Sequence, residues 1–380
     1  MQAPLCLHAL FWFPRFTFVA CLWYDKKNTD TGVITVTLIE CFTESHIDNI
    51  ASCLRLRPQT LIMIGSENDM RPSVGRYQKL LKNRGLSTQI QICNVFGKHF
   101  REICTLLKRL VQNNGECVID LTGGDEAVIM AVGAVLADLY EQTREHIHVE
   151  KFDYRREAAL DCIHNNCLLP RKNISLTVEE LILIHGGSLH PTAYQPPLDF
   201  TRTDLEPLWD IVRESPKEWN RALMILSEFE SRSDSKTEIC LQVEQLRGSI
   251  ANFEEKETVI RDLLGKLQNR GIIEDRSTYY TLKYTYLSPA FRYCTLKAGN
   301  VLEIKTLLEG RAVLEKGAPF FQDCRTSVSI DWDGIIHEPS QRIPETRNEI
   351  DVVLIHGTVP LFVSCKTAIS VRKSCTSFTP

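Results

Sequence analysis

The stretch that decides the fold is Asn348-Glu349-Ile350-Asp351-Val352-Val353-Leu354, followed by Pro360-Leu361-Phe362-Val363-Ser364-Cys365-Lys366. It reads as two short strands joined by a turn at His356-Gly357-Thr358. The first run is apolar around one acid; the second is apolar until it ends in a lysine. A carboxylate held on a strand can bind a hard divalent cation. Ser364 and Lys366, two strand positions apart, point to the same side. There the lysine could orient water or stabilise developing charge. An edge hairpin with a solvated acid and a snorkelling lysine has the same pattern.

The upstream residues add context. Lys297-Ala298-Gly299-Asn300-Val301-Leu302-Glu303 opens a helix expected over 301–308, and 324–333 reads as a strand ending in Ile330-Asp331-Trp332-Asp333. The order is helix with Glu303, strand, strand with Asp351, strand with a terminal x-Lys. The segment 288–366 resembles the PD-(D/E)XK nuclease half of the CRISPR ancillary nucleases of the Card and Can type. "KAGNVLE", "VSIDWDG", "NEIDVVL" and "PLFVSCK" carry the likeness. The resemblance implies Glu303 and Asp351 as ligands of Mn²⁺ or Mg²⁺, with Ser364 and Lys366 completing the catalytic set. The chain departs from the motif at Ser364, where the family has an acid.

The chain has 380 residues, a net charge of −4 and 24% charged residues, an ordinary soluble composition with no global pull toward nucleic acid. Fourteen scattered cysteines suggest buried thiols in a reducing cytoplasm. Cys162 and Cys167 flank His164, but the spacing fits no common zinc pattern. Leu5 to Leu22 is apolar yet interrupted by His8, Pro14 and Arg15, which argues against a signal peptide or membrane span. Residues 1–31 read as an extension.

From there strands and helices alternate: strands at 33–39, 60–64, 88–95, 117–121 and 146–154, helices at 45–54, 74–84, 97–113 and 125–140. This alternation implies an α/β fold with a mostly parallel, doubly wound sheet. Ligands bind such sheets outside the carboxyl ends of the strands. Three of those ends carry Thr43-Glu44-Ser45, Gly65-Ser66 and Thr122-Gly123-Gly124-Asp125. Glycines let backbone N–H groups approach a phosphate, and the following helix N-terminus favours it; Thr122 and Asp125 as plain helix caps are the simpler account. Absence of a G-x-G-x-x-G loop leaves NAD binding unsupported.

"DLTGGDEAVIMAVGA" with the Thr43-Glu44-Ser45 loop resembles a CARF domain, the CRISPR-associated Rossmann fold, over about 33–185. The resemblance implies a homodimer binding a cyclic oligoadenylate, in its tetra-adenylate form, through Thr43, Glu44, Ser66, Thr122, Gly123 and Gly124.

Residues 186–215 read as a linker. Helices around 219–229 and 248–268, then Gly271 and two β-rich runs, give a winged-helix-like pattern. The expected layout is therefore an extension (1–31), a CARF-like ligand-sensing domain (32–187), a linker with a winged-helix-like connector (188–287) and an incomplete PD-(D/E)XK nuclease domain (288–380). "TAISVRKSCTSFTP" lacks helical periodicity where the nuclease core expects a helix, and a neighbouring reading frame would permit one. The expectation is a cytoplasmic effector, free of membrane, that hydrolyses DNA and/or RNA when the oligoadenylate binds. The alternative is a catalytically inert ligand-sensing regulator that binds nucleic acid.

Overall fold

The computed structural model describes residues 36–143, 146–153, 158–163, 168–169, 174–189, 200–233, 235, 237–332 and 348–366. The extension 1–31, His164, Cys167, Asp333 and the tail 367–380 lie outside the described residues. The chain divides into two compact units, one of residues 1–70 and 87–172, the other of 71–86 and 173–380.

The first unit is α/β. In chain order it contains β1 (Thr37–Cys41), α1 (Asp48–Leu56), β2 (Thr60–Gly65), the start of α2 (Glu67–Asn83), β3 (Gln89–Asn94), α3 (Phe100–Asn113), β4 (Cys117–Asp120), α4 (Glu126–Thr143), β5 (Ile147–Asp153), β6 (Ala158–Asp161) and β7 (Leu168–Leu169). The sheet order is β3-β2-β1-β4-β5-β6-β7. The first five strands are parallel, and β6 and β7 close the edge antiparallel. β1, β2 and β4 are almost wholly buried, as expected of central parallel strands covered on both faces. Ile39, Ile62, Ile64 and Ile119 meet Ile103, Leu107 and Val111 of α3 and Val128, Val132 and Val135 of α4 in one core. α2 begins before Pro72, seven residues earlier than its apolar pattern suggested. Two N–H···O bonds, from Asp69 and Met70 to the Ser66 carbonyl, start it, and buried Met70 extends its apolar stripe.

The second unit contains α5 (Val178–Ile184), β8 (Ser188–Leu189), α6 (Arg202–Glu214), α7 (Pro216–Glu230), β9 (Glu238–Gln242), α8 (Val243–Ser249), α9 (Phe253–Asn269), β10 (Ile273–Asp275), β11 (Thr281–Tyr286), α10 (Pro289–Leu296), α11 (Asn300–Ala312), the hairpin β12 (Leu314–Glu315) and β13 (Ala318–Pro319), β14 (Asp323–Asp331), β15 (Asn348–His356) and β16 (Val359–Val363). The stretch expected to be a linker contributes structure. Thr201 and Asp204 form a capping box, and Leu205, Leu208, Ile211 and Val212 give α6 a buried stripe. β8 adds a strand beside β14.

Helix α7, strand β9, helices α8 and α9, then β10 and β11 follow in chain order, and the three strands form an antiparallel sheet in the order β10-β11-β9 beside the helices. Their core includes a buried carboxylate. Glu230 accepts hydrogen bonds from the hydroxyls of Tyr284 and Tyr286, both at 2.8 Å, and pairs with Arg292 at 2.7 Å. Beyond it an antiparallel sheet runs β16-β15-β14-β8. Leu307 of α11 packs with Cys324, Val352 and Leu354 of that sheet. α11 comes so close to β15 that a side chain at Gly310 would overlap Leu354. No described helix is long and apolar enough to cross a membrane. The described cysteines are free thiols, and only Cys162 and Cys240 among them are exposed.

Candidate functional site

In the second unit, helix α11 and strands β14, β15 and β16 follow the expected order. Asn300 fixes the entry to α11: its side-chain NH₂ donates to the Tyr293 carbonyl at 2.8 Å. One turn later Glu303 lies 8% exposed. Its Oε2 accepts from the Ser327 hydroxyl at 2.9 Å, which in turn meets the Tyr293 hydroxyl at 3.0 Å. Burial pushes the Glu303 carboxyl up, the Ser327 bond pulls it down, and the negative charges of Asp351 and Glu349 push it up again.

Asp351 collects the other candidate residues. Its Oδ2 accepts from Ser364 Oγ at 3.2 Å, from the Cys365 N–H at 2.6 Å and from Lys366 Nζ at 3.2 Å. The β16 ladder ends at Val363, so residues 364–366 curl around the carboxylate rather than continue the strand. Sequence reasoning missed Ser327. The pairs Thr326↔Val352 and Val328↔Ile350 set it opposite Asp351, and its φ is +48°. A serine in the left-handed region costs on the order of 1–2 kcal/mol, and such strain collects at functional sites. No pattern in "RTSVSID" announces it.

Among the described residues no group of three or more His, Cys, Asp or Glu side chains is arranged to hold a metal ion. Cys162 is exposed. Glu303 and Asp351 are close enough that the charge of Asp351 acts on the Glu303 carboxyl, and two carboxylates are the kind of oxygen ligand a small hard cation takes beside water and phosphate oxygens.

The first unit gathers its candidates at the carboxyl edge of the sheet. Asn49, fully buried on α1, pins the first loop in both directions: its Oδ1 accepts from the Thr43 N–H at 2.8 Å, and its NH₂ donates to the Thr43 carbonyl at 2.7 Å. Glu44 is exposed. A Cβ at Gly123 would lie 2.7 Å from Thr43 Cβ, and one at Gly124 (φ +109°) would strike Cys41. These glycines let the β4 loop lie against the β1 loop. Gly65 similarly abuts Phe42, at 3.1 Å from its own would-be Cβ. The three loops therefore form one continuous rim. Thr122 faces inward: its N–H and hydroxyl both donate to Asp120 Oδ1, and its Oγ1 accepts from the Phe152 N–H at 2.8 Å. Its hydroxyl shapes the rim. Asp125 caps α4 through the Ala127 N–H at 2.8 Å.

Behind this rim lies an acidic row that sequence reading did not pick out. Glu40, Asp120 and Glu150 are in lateral register on β1, β4 and β5, and all three are at most 2% exposed. Arg55 of α1 pairs with Glu150. Burial, then the charge of Asp120, drives Glu40 well above the carboxylate range; burial, then Glu150, lifts Asp120 to about 6.

No protein-family model matches the chain, and no curated protein does. Solved structures do. Protein VC1899 from Vibrio cholerae superposes with a TM-score of 0.60 at 16% identity, over 88% of this chain and 80% of that one. Can2 from Sulfobacillus thermosulfidooxidans, solved in complex with cyclic tetra-adenylate, gives a TM-score of 0.55 at 15% identity, over 88% and 78%. The chain has their fold. At such identity the likeness extends to architecture and leaves each side chain to be argued from its own surroundings.

Proposed function

We propose that this chain is a nuclease of CRISPR defence, switched on by a cyclic oligoadenylate and dependent on a divalent metal for hydrolysis of phosphodiester bonds in DNA and/or RNA. The observation that carries the reading is the placing of Glu303 on α11, Asp351 on β15 and Lys366 just past the end of β16, with Lys366 Nζ 3.2 Å from Asp351 Oδ2. Glu303 and Asp351 would hold Mn²⁺ or Mg²⁺, which supplies Lewis-acid activation of water and of the phosphate when bound. Lys366 places a cation where negative charge accumulates in phosphoryl transfer. Its head group is largely exposed, so it can exchange Asp351 for a substrate oxygen. Ser364 holds Asp351 in place of contributing a third carboxylate.

The activator reading rests on the rim formed by Thr43, Glu44, Ser66, Gly123 and Gly124, and on the Can2 likeness, since Can2 was solved with cyclic tetra-adenylate. In the full proposal two copies share one ligand across a two-fold axis in the cytoplasm. The layout is a ligand-sensing domain to about residue 187, a winged-helix connector to 287 and a PD-(D/E)XK domain beyond. The rival reading, an inert regulator, draws on Ser364 standing where the motif has an acid. Charge on the winged helix argues against nucleic-acid reading there. On α9, Lys256, Arg261 and Lys266 are each ion-paired at 2.7 Å, beside Glu254, Glu255, Glu257 and Asp262. Titrating Mn²⁺ into the full chain and into Asp351→Asn tests the metal site: the expected result is binding by the wild type and at least tenfold weaker binding by the variant, and equal binding refutes the assignment.

A further inference from the structure

The edge that carries the candidate ligand rim has a fourth loop, after β3, that no motif singled out. Val95 turns inward, 7% exposed, and its N–H donates to the Gly65 carbonyl at 3.0 Å. The next residue, Phe96, is 74% exposed. It is held there by construction. Asn94 Oδ1 accepts from the Phe96 N–H at 3.1 Å and from the Glu67 N–H at 3.2 Å, which ties the loop to the first turn of α2 beside Ser66. The Lys98 N–H donates to the Val95 carbonyl at 3.0 Å, closing a tight turn whose third residue is Gly97 at φ +74°. Glycine with positive φ at that place is what a type II turn demands. A rigid turn thus presents a large aromatic ring to solvent, next to an exposed lysine.

We propose that Phe96 is a base-stacking contact for a purine of the ligand bound at this edge, with Lys98 adding positive charge toward its phosphates. The proposal rests on the ligand reading above and names a recognition element within it. Neighbouring strands are about 4.8 Å apart, so the β3 loop stands roughly 10 Å from the β1 loop across β2, within the span of a dinucleotide. Every base has a π-face, and an exposed, preordered phenyl ring is a stacking platform for it. The core has no use for the ring, since Val95 already fills the inward position.

The test is calorimetric titration of the full chain with cyclic tetra-adenylate, using wild type, Phe96→Ala, Phe96→Leu and Phe96→Trp. Loss of one base–aromatic stack corresponds to roughly 5- to 150-fold weaker binding for Phe96→Ala and Phe96→Leu. Phe96→Trp should bind like the wild type and show extra indole emission that saturating ligand quenches. Wild-type binding with an unchanged Phe96→Ala affinity overturns this proposal alone and leaves the ligand reading standing. No binding by the wild type overturns both. A change in sedimentation of Phe96→Ala without loss of affinity assigns the ring to self-association and overturns the proposal as well.

Discussion

Replacing Ser327 by alanine removes the hydroxyl that donates to Glu303 Oε2 at 2.9 Å. A hydrogen bond to a buried charged group contributes about 1.5–3 kcal/mol, equivalent to roughly one to two pKa units. Glu303 is 8% exposed, so solvent offers little replacement. Its carboxyl already sits above the ordinary value of 4.5 because burial outweighs the Ser327 bond. A group raised in the folded state stabilises the fold below its unfolded pKa and loses that contribution as pH rises through the folded value. Ser327→Ala raises Glu303 further, so its penalty should reach about 1.5–3 kcal/mol at neutral pH and shrink below about 1 kcal/mol near pH 3, well under the ordinary carboxyl value of 4.5, where the folded and unfolded carboxyls are both protonated. The acid limb of the proposed metal-dependent cleavage should move up with it. Ser327→Gly loses the same bond but relieves the positive φ, and should recover about 1 kcal/mol over the alanine variant. Urea unfolding at the two pH values reads both effects. An equal Ser327→Ala penalty at both, with an unmoved acid limb, would show that this bond does not govern Glu303 ionisation.

Gly123→Val should abolish binding of cyclic oligoadenylate in calorimetry, because the new side chain displaces Thr43 and breaks the rim; unchanged affinity would contradict the packing. Asp120→Asn should flatten the pH dependence of stability. The raised Asp120 carboxyl costs the wild type stability as pH climbs from below 3.8 to above about 6, by up to roughly 3 kcal/mol, and the amide cannot ionise; parallel stability curves from pH 3 to 8 would refute this. Tyr284→Phe removes one of two hydroxyls on buried Glu230 and should cost about 1–3 kcal/mol, seen as a thermal midpoint lower by a few degrees; no shift would mean that Glu230 does not depend on it.

The parallel sheet was legible because its central strands are buried on both faces and read as apolar runs such as Thr60–Gly65. The helix–strand–strand order around Glu303 and Asp351 was legible for the same reason, since each acid interrupts an otherwise apolar segment. Residues 186–215 misled because Gly186, Gly187 and a cluster of prolines hide the α6 stripe, whose capping box at Thr201 was the available signal. Ser327, Asn49 and the Glu40–Asp120–Glu150 row stayed hidden because they matter through long-range register and backbone conformation, which local pattern does not encode. The inward turn of the Thr122 hydroxyl depends on Asp120 two residues back and on Phe152 a strand away, so no local pattern shows it.

The measurement closest to the central claim is a cleavage assay of the full chain on single-stranded DNA, double-stranded DNA and RNA, run with and without cyclic tetra-adenylate and Mn²⁺, beside Asp351→Asn. The account predicts cleavage of at least one substrate only when both activator and metal are present, and its loss in Asp351→Asn. Ligand binding without cleavage of any substrate, or undiminished cleavage by Asp351→Asn, would contradict it.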